Sequence, residues 1–204
     1  MKRTSKNFTQ IINIPELIVL GMNEDKEGFV FITKHLEKRC KCPKCGTLST
    51  TVHQNKQSFV RDLSIGERPV YLLISRRQFK CKICKKPFTE QLSFLGKRKT
   101  YTTRLANFIV TEVVDSNVHS VAKRYGLTDD EVWSMVEFVG ENIIPKQPPK
   151  FKKIGIDEIS LVKGQGNFVV VIVDLERHKL IEIVSERKQK KIRDVMESWR
   201  DFYN

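Results

Sequence analysis

Two C-x-x-C pairs constrain this chain more than any other feature: CPKCG, holding Cys42 and Cys45, and CKIC, holding Cys81 and Cys84. Each pair lets two thiolates reach one ion from a single turn, and Gly46 allows the backbone to fold back behind the first pair. Four thiolates form the closed tetrahedral shell of a structural zinc, with no open position for catalysis. A redox C-x-x-C is the competing interpretation, and two pairs bracketing one basic loop fit zinc better. The fifth cysteine, Cys40, is a spare that could substitute for Cys42, but the Pro-x-Cys-Gly context favours Cys42. His35 and His53 lie near the pairs; with four cysteines completing the shell, both are expected to be surface histidines.

The 35 residues between the pairs read as VHQ, SFVRDLSI and RPVYLLISRRQFK, separated by polar turns. Alternation in RPVYLLISRRQFK predicts a strand leading directly into the second pair. Two knuckles carried on β-hairpins are the layout of a zinc ribbon.

Charge singles out the same region. Residues 34–104 hold 18 Lys/Arg against four Asp/Glu, while the remainder balances 19 basic against 20 acidic groups, so this segment carries the entire excess of the +13 chain. Such a density is the electrostatic footprint of a polyanion, nucleic acid before membrane. The candidate contact residues are Arg61, Arg68, Arg76, Arg77, Lys80, Lys82, Lys85, Lys86, Lys97, Arg98, Lys99 and Arg104. No apolar run approaches the roughly 18 residues of a membrane helix. The basic N-terminus leads into an apolar patch broken by Pro15 and Glu16, so no signal peptide is expected, and the expected location is the cytoplasm, in association with the nucleoid.

From about Thr103 the pattern becomes helical: LANFIVTEVV, then VHSVAKRYGLTDDEVWSMVEFVGENII. The second piece fits a helix-turn-helix, with Val121 and Ala122 in a short helix, Gly126 in the turn, and Leu127, Val132 and Met135 at apolar positions beyond it. Thr128 and Glu131 have capping-box spacing and start the next helix. An ordinary helical hairpin is the alternative. The would-be recognition helix carries Asp129, Asp130, Glu131, Glu137 and Glu141, a face that phosphate repels, although Trp133 and Ser134 are candidates for a base edge and Lys123 and Arg124 for the backbone. Most affinity is therefore expected from the basic ribbon.

A stiff basic linker with Pro145, Pro148 and Pro149 follows. Then come KIGIDEISLV, NFVVVIVDLE and KLIEIVSE, three β-runs separated by KGQG and RHK that read as an antiparallel meander. Ile192, Val195, Met196, Trp199 and Phe202 mark a closing helix. Three strands, a helix and an Asp in the middle of the first strand are the opening of an RNase H-like fold. The expected architecture is thus α+β and multidomain: an N-terminal β-hairpin segment (1–35), a zinc ribbon (36–99), a helix-turn-helix (100–146), a linker (147–153) and a partial RNase H-like catalytic domain (154–204).

In this order, CPKCG with CKIC, VRDLSIGERPVYLLISRRQFKC, the helix-turn-helix, and GIDE followed by VVVIVDLERHKLIEIV resemble insertion-sequence transposases of the DDE class, of the ISL-three type. The resemblance covers nearly the whole chain. It implies DNA cutting and joining by in-line attack on a phosphodiester, with two divalent ions, usually magnesium, held by Asp, Asp and Glu. Asp157 matches the first Asp; the second and the Glu are expected beyond Asn204. With one of the three carboxylates, the chain is expected to be a DNA-binding N-terminal fragment that recognises the element's terminal inverted repeats, alone, as a homodimer or with the full-length transposase, with strand cleavage and joining lost. The alternatives are an active enzyme completed by a second chain and a zinc-ribbon regulator.

Overall fold

The computed structural model describes residues 3–143, 150–160, 168–184 and 188–200. The chain divides into two compact units, Met1–Glu141 and Asn142–Asn204.

The first unit is organised by two long antiparallel strands, β5 (Val52–Ile65) and β6 (Arg68–Lys80), joined by a turn at Gly66. Val70, Leu72 and Ile74 alternate onto one face of β6, and Val60 of β5 pairs with Leu72. These side chains form a core with Ile12, Leu17, Val19, Phe31 and Leu95. Leu17 and Val19 come from β1 (Leu17–Asp25), Phe31 from β2 (Gly28–His35), and the hairpin turn between them is closed by the Asp25 carboxylate, which accepts the Glu27 and Gly28 amides at 2.8 and 3.0 Å.

Strand β2 then pairs in parallel with β6, from Phe29↔Val70 to Ile32↔Leu73, giving the order β1-β2-β6-β5. The segment expected as a separate hairpin over 1–35 is therefore part of the same sheet as the zinc ribbon. It also begins with a helix, α1 (Arg3–Ile12), where Thr9 accepts the Val19 amide at 2.9 Å and Phe8 meets Phe31 edge-on at 5.7 Å. A parallel pair joins residues roughly 40 positions apart, so local periodicity carries no trace of it.

A second departure concerns β5. VHQ and SFVRDLSI are one strand, not two, because Asn55, Lys56 and Gln57 stay on the ladder opposite Arg77, Arg76 and Ser75. Pairing of the backbone is indifferent to side-chain polarity, and this arm is solvated on both faces, so it shows no alternation. Short strands β3 (Cys40–Lys41) and β4 (Leu48–Ser49) pair with each other, and β7 (Pro87–Thr89) pairs with the end of β6.

Three helices complete the unit: α2 (Thr103–Val114), α3 (Val118–Tyr125) and α4 (Asp129–Ile143). The Thr102 hydroxyl caps α2 and the Asn117 carboxamide caps α3. Gly126 ends α3 in the left-handed conformation (φ 58°), and Thr128 and Glu131 exchange capping hydrogen bonds at the start of α4. Val121, Ala122, Val132 and Met135 meet in their own core with Tyr101, Leu105, Ala106, Ile109 and Val139, which is the helix-turn-helix packing that the spacing predicts.

In the second unit, β8 (Ile154–Ser160), β9 (Phe168–Asp174) and β10 (Lys179–Val184) form an antiparallel sheet of order β10-β9-β8. Helix α5 (Gln189–Arg200) supplies Trp199 to a core with Val170, Ile172 and Val184, and Phe151 meets Trp199 edge-on at 5.4 Å. The KGQG turn, Phe202 and Pro145, Pro148 and Pro149 of the expected linker lie outside the described residues.

Candidate metal centre and nucleic-acid interface

The knuckle carrying Cys42 and Cys45 sits between β3 and β4; the one carrying Cys81 and Cys84 follows β6 directly. In the first, the Gly46 amide donates to the Cys42 carbonyl at 2.9 Å and the Cys42 amide to that of Thr47 at 2.9 Å. In the second, the Cys81 amide donates to the Lys86 carbonyl at 3.1 Å, and the Cys84 amide points at the Cys81 sulfur at 3.3 Å. The two turns are locked to each other where Ser49 donates to the Lys80 carbonyl at 2.7 Å.

The four sulfurs lie within 4.8 Å of one another, with Cys45 and Cys81 3.5 Å apart. A zinc tetrahedron with sulfur bonds of about 2.3 Å has edges of about 3.8 Å, so the donor set fits a structural zinc. Bound zinc would cross-link the two knuckles and leave no coordination position for chemistry.

Proton sharing in the cluster has a consequence for loading. The hydrogen bond with the Thr47 hydroxyl pulls the Cys45 thiol down to about 6, while the hydrogen bond with Cys45 pushes Cys84 up to about 12. Zinc takes thiolates only, so binding must drive the proton off Cys84, and affinity must rise with pH.

Cys40 stands on β3 opposite Ser49, outside the cluster, and burial raises its thiol above the ordinary range. His35, expected on the surface, is buried, with its Nε2 2.6 Å from the Ser75 carbonyl across the parallel strand pair. Burying the ring requires a polar partner, and β6 provides one that the sequence neighbourhood does not show. His53 is exposed, as expected.

The two knuckles differ at one equivalent position. Behind Cys45 stands Gly46 at φ 71°, whereas behind Cys84 stands Lys85 at φ 56°. A non-glycine residue in the left-handed region costs roughly 1 kcal/mol. Lys85→Gly is accordingly expected to raise the melting temperature of the zinc-loaded protein by a few degrees, read by calorimetry; an unchanged or lower value would mean that this turn holds no strain.

The basic candidates fall into two classes. The arginines are largely committed inside the unit. Arg61 donates to the Gly126 carbonyl at 2.8 Å and to that of Tyr125, tying β5 to the helix-turn-helix. Arg68 pairs with Glu24, Arg77 with Glu90 and Arg124 with Glu112; Arg76 donates to Ser58 at 2.9 Å and to the Lys99 carbonyl. Arg104 pairs with Asp62, which is fully buried and also accepts from Thr102 at 2.7 Å. Lys99 donates to the Ser134 hydroxyl at 3.0 Å, and Tyr101 to the Ser134 carbonyl at 2.7 Å. Ser134 thus faces inward rather than toward a base edge.

By contrast, the side chains of Lys80, Lys82, Lys85, Lys86, Lys97, Arg98 and Lys123 are exposed and make no ion pair or hydrogen bond to the described residues. Lys97 and Arg98 line a cleft together with Arg76, Arg77, Phe88 and Pro43 of the first knuckle. On α4, Trp133 is 54% exposed and flanked along the helix by exposed Asp130 and Glu137. Charge counting alone cannot separate scaffold arginines from free lysines. The buried Asp62 and Thr102 escaped it altogether, although an acidic residue inside VRDLSI, in so basic a segment, was the available signal.

Asp157 lies on β8 opposite Val171, exposed, with its carboxylate accepting the Glu158 amide at 2.8 Å. Glu158 is opposite Val170 and therefore on the other face, as alternation requires. Asp174 is buried and accepts the Glu176 and Arg177 amides, closing the β9–β10 turn, three ladder positions from Asp157 and on the opposite face. Among the described residues, the cysteine cluster alone gathers three or more side chains fit to hold a metal. No carboxylate set for magnesium surrounds Asp157 there.

Three family models match the chain in order: the zinc-finger of transposase IS204/IS1001/IS1096/IS1165 over residues 38–84, the helix-turn-helix domain of transposase family ISL3 over 90–139, and a transposase model of the same family over 154–201. The transposase for insertion sequence element IS1001 of Bordetella parapertussis is 31% identical over 144 residues, which cover 68% of this chain and 34% of that protein. The chain therefore spans about a third of the length of this curated relative. No solved structure matches.

Proposed function

Because the chain belongs to the ISL3 family of transposases, we propose that it recognises the terminal inverted repeats of its insertion element through the zinc ribbon and helix-turn-helix. The observation that carries this reading is the division of labour among the cations. Arginines brace the scaffold, while unpartnered lysines crowd the four-cysteine cluster. Free cations at a zinc-stiffened edge suit phosphate neutralisation, whereas the acidic α4 suits orientation or protein contact rather than groove reading.

The meander with α5 is the start of an RNase H-like domain in this proposal, and Asp157 is its first metal-binding carboxylate. Strand cleavage would then need carboxylates that the described residues do not gather beside it, supplied for example by a full-length transposase with which the chain associates. Gel shifts on a terminal-repeat fragment and on its scrambled counterpart, at several salt concentrations, test recognition. Tighter binding to the repeat is expected at every salt; equal affinity for both would sink end-specific binding. Mixing with full-length transposase and magnesium tests the catalytic part: Asp157→Ala in this chain should abolish the cleavage that the mixture gains from it, and equal cleavage by the variant would remove Asp157 from the site.

A further inference from the structure

The tip of the second knuckle joins features found nowhere else in the described basic segment. Ile83 is 69% exposed, on a turn that holds Lys82, Lys85 and Lys86 and no acidic residue from Cys81 to Thr89. The turn is closed by the Cys81–Lys86 hydrogen bond and carries two of the four clustered sulfurs. Lys85 holds a left-handed conformation there, although the first knuckle has Gly46 in the same place. The first knuckle offers only Pro43 and Lys44 between its cysteines. An isoleucine displayed among unpartnered lysines suits neither a core nor a protein interface, whose centres are poor in lysine. One apolar side chain is also too little to anchor a chain to a bilayer. Apolar side chains framed by cations are how minor-groove binders press between base steps.

We propose that the second zinc knuckle is the DNA-contacting edge of this chain, seating Ile83 in the minor groove while Lys82, Lys85 and Lys86 neutralise the flanking phosphates. This deepens the DNA-binding reading above and rests on it. The left-handed Lys85 keeps its cation at the one place in the turn where a glycine would fit more easily.

The test uses the whole zinc-loaded chain and a mixed-sequence duplex labelled at both ends, so that affinity and bending are read together by energy transfer. Ile83→Ala should weaken binding about tenfold and reduce the bend, leaving the salt dependence as in the wild type, with Ile83→Leu restoring both. The triple variant Lys82→Ala/Lys85→Ala/Lys86→Ala should flatten the slope of log K against log salt by about 2 to 3, whereas Lys56→Ala, on the β5 arm, should bind the duplex as the wild type does. Metal analysis confirms one zinc in each variant. If the wild type binds the duplex and Ile83→Ala binds and bends it equally, the groove-seating proposal falls while DNA binding stands. An unchanged slope in the triple variant also overturns it. A wild type that ignores this duplex and the terminal-repeat fragment alike, or that instead sediments with phosphatidylserine vesicles through Ile83, removes both readings.

Discussion

Replacing Cys81 with serine, or stripping zinc with a chelator, should abolish DNA binding while leaving much of the first unit folded. The first half of this expectation follows from the size of the metal term: structural zinc sites contribute an apparent ~10–16 kcal/mol near neutral pH in small peptides. Losing it frees both knuckles, and with them β3, β4 and β7, which hold to their neighbours by pairings of only two and three residues. The second half follows from where the core lies. Val60, Val70, Leu72 and Ile74 pack with Leu17, Val19 and Phe31 at the other end of the long strands, independent of the sulfurs. Hydrogen exchange should therefore show protection lost over residues 36–51 and 80–91 and retained over 17–35 and 58–74. Global loss of protection would mean that the sheet depends on zinc, and unchanged protection would undo the metal centre. Acid should mimic the chelator, because the cysteines must stay deprotonated to hold the ion.

The second large effect is expected at Arg104, and it concerns stability rather than DNA. Asp62 is fully buried, and its carboxylate is held by Arg104 at 2.7 Å and by the Thr102 hydroxyl at 2.7 Å. Removing one partner of a buried pair leaves an uncompensated charge, at a cost of roughly 3–5 kcal/mol. Thr102 remains and Arg104 is about one-third exposed, so Arg104→Ala should fall near the lower end, about 3 kcal/mol by urea denaturation. The pair also explains why the helices sit where they do. Thr102 caps α2 while donating to Asp62, and its amide donates to the Arg61 carbonyl at 2.9 Å, so the strand and the helix start are fastened together. In a double-mutant cycle with Asp62→Asn, a coupling near zero would refute the pairing; a large loss of DNA affinity in a fully folded Arg104→Ala would return this arginine to the DNA surface.

Much of the local structure was legible in the residues themselves. The knuckles, the Gly126 turn, the Thr128–Glu131 capping box and the three-strand meander each depend on spacings of a few positions, where backbone stereochemistry and side-chain reach leave little choice. The parallel β2–β6 pair was not legible, nor was the burial of His35 that accompanies it, since the partners are separated by about forty residues and joined by no motif. Continuity of β5 through VHQNKQS was hidden for a different reason: a two-sided solvated arm has no hydrophobic period to detect.

The same distinction runs through the functional surface. By itself the sequence determined the metal chemistry, the sign and location of the charge, and the presence of one carboxylate at the centre of β8, because these follow from residue type and short spacing. Only the tertiary structure decided which cations are free. An arginine and a lysine count equally in a charge sum, but whether either faces DNA or a buried carboxylate depends on what the fold places within about 3 Å of it. That is why Arg61, Arg76, Arg77 and Arg104 became bracing and the lysines around Ile83 became the candidate surface.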